Sequence, residues 1–147
     1  SRKAMVISVT RLKLRSIRFL PVFMWNNRSV LQSIVKAQGF RGGKTLVDAG
    51  QVYWTMTAWN DAASMRSFRS SGAHAQAMPM LANWACESAF VQWESERDQL
   101  PEWQEAHRKL SEKGRPSPLK QPSKEHKERR FNEPRLASWR ERPVKPA

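Results

Sequence analysis

Seven of the nine prolines lie after residue 95. Proline fixes φ and lacks a backbone N–H, so it interrupts helices and is kept out of central strands. A regular core must therefore be built from the first two thirds of the chain. The aromatic residues agree, because residues 1–95 hold five of the seven tryptophans and five of the six phenylalanines. We read residues 4–95 as the folded domain and residues 96–147 as a C-terminal appendage. In the appendage the spacing predicts a helix over about 101–113, with Pro101 in its first turn and Gly114 as its stop. Beyond it the prolines at 116, 118, 122, 134, 143 and 146 leave an extended or disordered, basic tail. Phe131, Leu136 and Trp139 are its candidate anchors.

Charge adds a second constraint. The chain has 26 Lys and Arg against 13 Asp and Glu, a net +13. Counted by segment, +8 falls on residues 1–95 and +5 on the appendage. Arg11, Lys13, Arg15 and Arg18 follow one strand end, and Arg41 and Lys44 open another strand. If those ends meet, they form one positive patch for an acidic protein complex or RNA. No apolar run reaches the ~20 residues of a membrane-spanning helix, so no transmembrane segment is expected. The first apolar stretch is broken by Arg11, Lys13, Arg15 and Arg18, which does not read as a signal peptide. A cytoplasmic location is the expectation. Cys86 is the only cysteine and has no internal partner, and the three histidines lack zinc-finger spacing, so no metal site is expected.

Within residues 4–95 the periodicities alternate. Met5–Leu14 reads as a strand with Leu12 and Leu14 on one face and Arg11 and Lys13 on the other. Residues 19–38 read as a helix whose buried stripe includes Val30, Leu31, Ile34 and Val35, stopped by Gly39. Phe40–Asp48 and Gln51–Trp59 are strands close enough to form a hairpin. Asn60 or Asp61 caps a helix bearing Met65, Phe68 and Arg69, and Ser70–Gly72 breaks it. Ala73–Trp84 is helical with Pro79 as a kink, and Cys86–Glu94 is the fourth strand. The order β-α-β-β-α-β is the ferredoxin-like α+β arrangement, an antiparallel sheet with helices on one face. The other face is then left apolar and bare, which favours pairing of two copies face to face as a homodimer.

The segments Gly39-Phe40-Arg41-Gly42-Gly43, Tyr53–Trp59, Asp61–Phe68, Gly72-Ala73-His74 and Ala77-Met78-Pro79 together resemble the dimeric α+β barrel superfamily. Within it they are most similar to antibiotic-biosynthesis-monooxygenase-like proteins and the DUF3291 group, with a pattern also seen in spheroidene monooxygenase. The resemblance implies a homodimer with a cavity between sheet and helices, and a monooxygenase-like activity on a small apolar ligand. In that setting His74 is the candidate catalytic residue, either as general base or as a haem ligand. No other cofactor is implied. Trp54, Trp59, Phe68, Trp84 and Trp93 are the candidate pocket lining, although core packing alone also accounts for aromatic residues on strands. The alternative function is a non-catalytic binding or assembly subunit that holds an acidic complex or RNA through its basic face and tail.

Overall fold

The computed structural model describes residues 4–134 and 141–147. Four long strands, β1 (Met5–Leu14), β2 (Phe40–Asp48), β3 (Val52–Trp59) and β4 (Ala85–Ser95), pair antiparallel with β1 and β3 at the centre. Two short strands, β5 (Arg115–Pro116) and β6 (Glu141–Val144), extend the sheet to the order β5-β4-β1-β3-β2-β6. Helices α1 (Leu20–Ile34), α2 (Ala62–Arg69) and α3 (Gly72–Trp84) join the long strands. The appendage adds α4 (Trp103–Lys113) and the single turn α5 (Lys124–Lys127).

Local chemistry explains the element boundaries. The Ser16 hydroxyl accepts from the Arg18 N–H and starts a 3-10 turn over Ile17–Phe19, which runs into α1 with Pro21 in its first turn. The Asp61 carboxylate caps α2 by accepting from the Ser64 N–H at 2.7 Å. Gly39 holds φ at +84°, and its carbonyl accepts from the Asn60 N–H at 2.8 Å, closing β2 back onto the end of β3. Pro79 does not interrupt α3, which runs on from Gly72 to Trp84.

The alternation along β1 sorts side chains onto two faces. Val6, Ser8, Thr10, Leu12 and Leu14 face α1, α2 and α3. Met5, Ile7, Val9, Arg11 and Lys13 face the other way. The helix-side core joins Val6 to Ile34, Phe40, Trp59 and Met65, and Leu12 and Leu14 to Phe23, Trp84 and Ala85.

The opposite face departs from the sequence expectation, because it is not bare. Ile7, Val9, Leu46, Trp54, Met56 and Val91 pack there against Trp103, Ala106 and Leu110 of α4 and against Phe131. The reason lies in the appendage's own pattern: residues 103, 106 and 110 recur at helical spacing and give α4 one apolar stripe. Hydrogen bonds then hold the following chain to β4 and to the end of α3. Ser117 N–H donates to Ser88 O, Lys120 N–H to Ala82 O and Ser123 N–H to Cys86 O, at 2.8, 2.9 and 2.8 Å. The His126 ring accepts from the buried Ser88 N–H at 3.2 Å. At the far edge β6 pairs with Gly43–Leu46 of β2, and Glu141 reaches both Lys44 (3.2 Å) and the Trp103 indole N–H (2.9 Å).

Phe131 is buried in the cluster with Trp54, with the Arg11 guanidinium over its ring. Leu136 and Trp139 lie outside the described residues. No helix among the described residues is long and apolar enough to cross a membrane.

Candidate functional site

Between the sheet and helices α1, α2 and α3 lie two adjoining cavities. The first, about 100 Å³, is walled by Ser8, Thr10, Thr55, Thr57 and Trp59 from the sheet and by Phe23, Ile34, Phe68 and Ala77 from the helices. The second, about 320 Å³, is walled by Ser88 and Phe90 of β4, Met78 and Ala82 of α3, and Ser117, Pro118 and Leu119 of the appendage. Thr10, Arg69, His74 and Leu81 line both. His74 and Arg69 therefore stand where the two spaces meet.

His74 is in the first turn of α3. Its Nδ1 lies 3.3 Å from the Arg69 carbonyl oxygen. A carbonyl only accepts, so Nδ1 carries the proton and Nε2 keeps its lone pair. The Phe68 ring stands edge-on at 5.6 Å. Burial pushes the His74 pKa below the ordinary histidine value, the Arg69 charge adds to this, and the hydrogen bond to Arg69 O opposes it. The ring is therefore neutral near pH 7, the state a general base needs. A haem on Nε2 would require a flat slot larger than these two cavities, so the residues around His74 do not fit one.

Of the five aromatic residues expected to line a pocket, Trp59 and Phe68 do so. The Trp59 indole N–H donates to the Thr57 hydroxyl at 2.9 Å, which fixes its ring as the floor between Phe40 and Phe68. Trp54 and Trp93 are corrections to that reading. The strand alternation sends both to the opposite face, where Trp54 is fully buried edge-on to Trp103 and Trp93 packs on the edge of the same cluster with Lys109 over its ring. Trp84 ends α3 on the helix side but fills core with Leu12, Leu14 and Phe23 rather than lining either cavity.

The expected basic patch is divided. β1 and β2 both pair antiparallel with β3, so they run parallel, and the start of β2 lies beside the start of β1. Arg41 is thus level with Val6 and Ile7, at the opposite end of the sheet from Arg15 and Arg18. Arg11 is not a surface residue at all. It is 2% exposed, with its Nη1 2.7 Å from Glu87 Oε1 and its guanidinium over Trp54 and Phe131. Lys13 approaches the same Glu87 at 3.8 Å, Arg15 donates to the Asn83 carbonyl at 2.7 Å, Arg18 lies over Phe19, and Lys44 lies over Trp103. Of the six expected patch residues, all but Arg41 make a contact within the molecule.

Residues 20–118 match the model of a protein family described as a domain of unknown function, DUF3291. The chain belongs to the DUF3291 family. The solved structures similar to it include a conserved protein from Methanosarcina mazei Go1, 14% identical with a TM-score of 0.56, over 62% of this chain and 92% of that one. A putative antibiotic biosynthesis monooxygenase from Nitrosomonas europaea is 11% identical with a TM-score of 0.59, over 68% of this chain and 97% of that one. SnoaB, a cofactor-independent oxygenase from Streptomyces nogalater, is 18% identical with a TM-score of 0.53, over 67% of this chain and 98% of that one. At these identities the likeness is one of fold. No curated protein matches the chain.

The DUF3291 match runs through α4 to Pro118. It therefore takes in Ser117 and Pro118, which help to wall the second cavity. Neither of those residues was a sequence candidate, since nothing local connects a proline-rich segment to a pocket formed about thirty residues earlier. Arg69 was readable but overlooked as a site residue. It follows Met65 by four positions and so falls on the buried stripe of α2, where a charge needs a reason.

Proposed function

We propose that this protein binds a small apolar ligand between sheet and helices and acts on it as a monooxygenase-like enzyme. What carries the reading is the position of His74, a neutral imidazole with one nitrogen tied to a backbone carbonyl, at the junction of two mainly apolar cavities. That arrangement suits removal of a proton from a phenol or enol by the free Nε2. Dioxygen is the oxidant such a reaction consumes, and the electrons come from the substrate. Likeness of fold to a cofactor-independent oxygenase supports this chemistry by analogy.

The test uses 2-naphthol as a probe, followed by NMR shifts of the His74 ring and the Trp59 indole and by oxygen uptake. Binding that shifts both signals, and that is lost in Leu81→Trp, supports the cavity. Leu81 borders both spaces, so the larger side chain fills them. Oxygen uptake that falls at least about tenfold in His74→Ala, with probe binding kept, supports the base. Absence of binding to the folded wild-type protein overturns the reading.

The assembly alternative, an acidic complex or RNA held by a free basic tail, loses its main support because the described part of that tail is engaged on the chain's own sheet. Homodimerisation is subject to the same condition. Pairing through the sheet face requires α4 and Phe131 to leave it, and we take the full-length chain not to pair that way.

A further inference from the structure

Arg69 is half-buried between the two cavities, in the last turn of α2. Its guanidinium lies 4.2 Å from the Phe90 ring centroid. Among the described residues no carboxylate pairs with it, since the ion pairs there use Arg11, Lys13, Lys44, Arg108 and Arg130. A guanidinium has five N–H donors in a fixed fork, and an aromatic face satisfies the charge without accepting those hydrogen bonds in the plane of the fork. The contrast with Arg11 is direct. Arg11 is also buried against aromatic rings, but it has Glu87 at 2.7 Å. Arg69 has the same aromatic support and lacks the carboxylate.

The space beside Arg69 has the composition that an apolar acid would meet. Phe90, Leu81, Pro118 and Leu119 offer hydrocarbon surface, and its volume of about 320 Å³ lies at the lower end of the range for small-molecule sites. The wall contributed by the appendage is fixed, because Ser117 N–H donates to Ser88 O at 2.8 Å and the two serine hydroxyls lie 3.3 Å apart. We propose that the ligand of this cavity is a planar apolar carboxylate, its carboxylate bidentate on Arg69 and its hydrocarbon between Phe90 and Leu119. The inference rests on the ligand-binding reading of the cavity given above, and it adds the ligand's charge and orientation.

The experiment compares 2-naphthoate with the neutral 2-naphthalenemethanol by calorimetric titration of the full-length protein at pH 7.5. A preference for naphthoate of about tenfold or more is expected, as one charge-assisted bidentate pair supplies. Arg69→Gln removes the preference, whereas Arg69→Lys retains part of it. Equal affinity of the wild-type protein for both probes overturns the inference and leaves the cavity reading intact. So does a naphthoate preference that persists in Arg69→Gln. Failure of both probes to bind folded wild-type protein overturns the inference and the cavity reading together. The wild-type comparison decides the matter even where the glutamine variant does not fold.

Discussion

Trp103 meets Trp54 edge-on, with ring centroids 6.1 Å apart, and this contact is the centre of the seal between the appendage and the sheet. Both rings are almost wholly buried. Truncating Trp103 to alanine is expected to destabilise the protein by about 3–5 kcal/mol, as large-to-small changes of core aromatics do. Thermal unfolding checks it. The variant should also bind a hydrophobic dye more strongly, because the contact it loses is the one that covers the sheet.

Removing residues 96–147 goes further. It uncovers Ile7, Val9, Trp54 and Met56 as one apolar face, and exposed patches of that kind drive association. Light scattering should find the shortened chain more strongly paired or aggregated than residues 1–147 at the same concentration. A monodisperse, single-copy shortened chain would count against the covering role given to the appendage.

The Arg11–Glu87 pair is almost fully buried, with side chains 2% and 4% exposed. Breaking such a pair leaves an uncompensated charge, so Glu87→Gln should cost about 3–5 kcal/mol. The double change Arg11→Met, Glu87→Leu should recover most of that loss. Denaturant titration of the two variants separates the cost of an orphaned charge from the worth of the pair itself.

His74 and His126 share a sign of pH dependence. Burial is the leading cause that lowers each below the ordinary histidine value. The unfolded chain then takes up protons at a higher pH than the folded chain, so stability is full above about pH 6.5 and falls as pH drops toward the folded-state values. The melting temperature should be flat near pH 8 and decline below about pH 6.5. His126→Gln should reduce the slope, because His126 holds the appendage to Ser88.

Gly39 tests the turn that leads from α1 into β2. Its φ of +84° disfavours any side chain, and a Cβ there would strike the Ser64 side chain. Gly39→Ala should lose about 1–2 kcal/mol from backbone conformation alone, and Ser64→Gly in the same chain should return only the steric part. Chemical denaturation of the single and double variants resolves the two.

Periodicity made the four long strands and their helices readable. Met5–Leu14 and Phe40–Asp48 carry their ends in the sequence, through β-branched runs bounded by glycine and by the alternation of Leu12 and Leu14 with Arg11 and Lys13. His74, Trp59 and Phe68 were also within reach, since each lies on a helix or strand face turned toward the cavity. What was not legible depends on pairing over long separations. Trp54 is as aromatic as Trp59, and only the knowledge that α4 covers the opposite face tells core from pocket. The same holds for Arg11, whose partner is 76 residues away. Proline content marked the tail as extended or disordered, yet its described part forms β5, α5 and β6 and is held by backbone hydrogen bonds such as Ser123 N–H to Cys86 O.

The pairing of β6 with β2 joins Val144 to Gly43 across most of the chain's length. On the ribosome this has a cost in time. Residues 1–95 can form their sheet and helices while α4, Phe131 and Glu141 are still unsynthesised, and through that interval the face bearing Trp54 and Met56 stands open to water and to other nascent chains. Contacts of such long range also close slowly in refolding. The newly made chain is therefore most exposed to misassembly until α4, Phe131 and β6 have emerged to cover that face, and the docking of this proline-rich segment acts as a late step of folding.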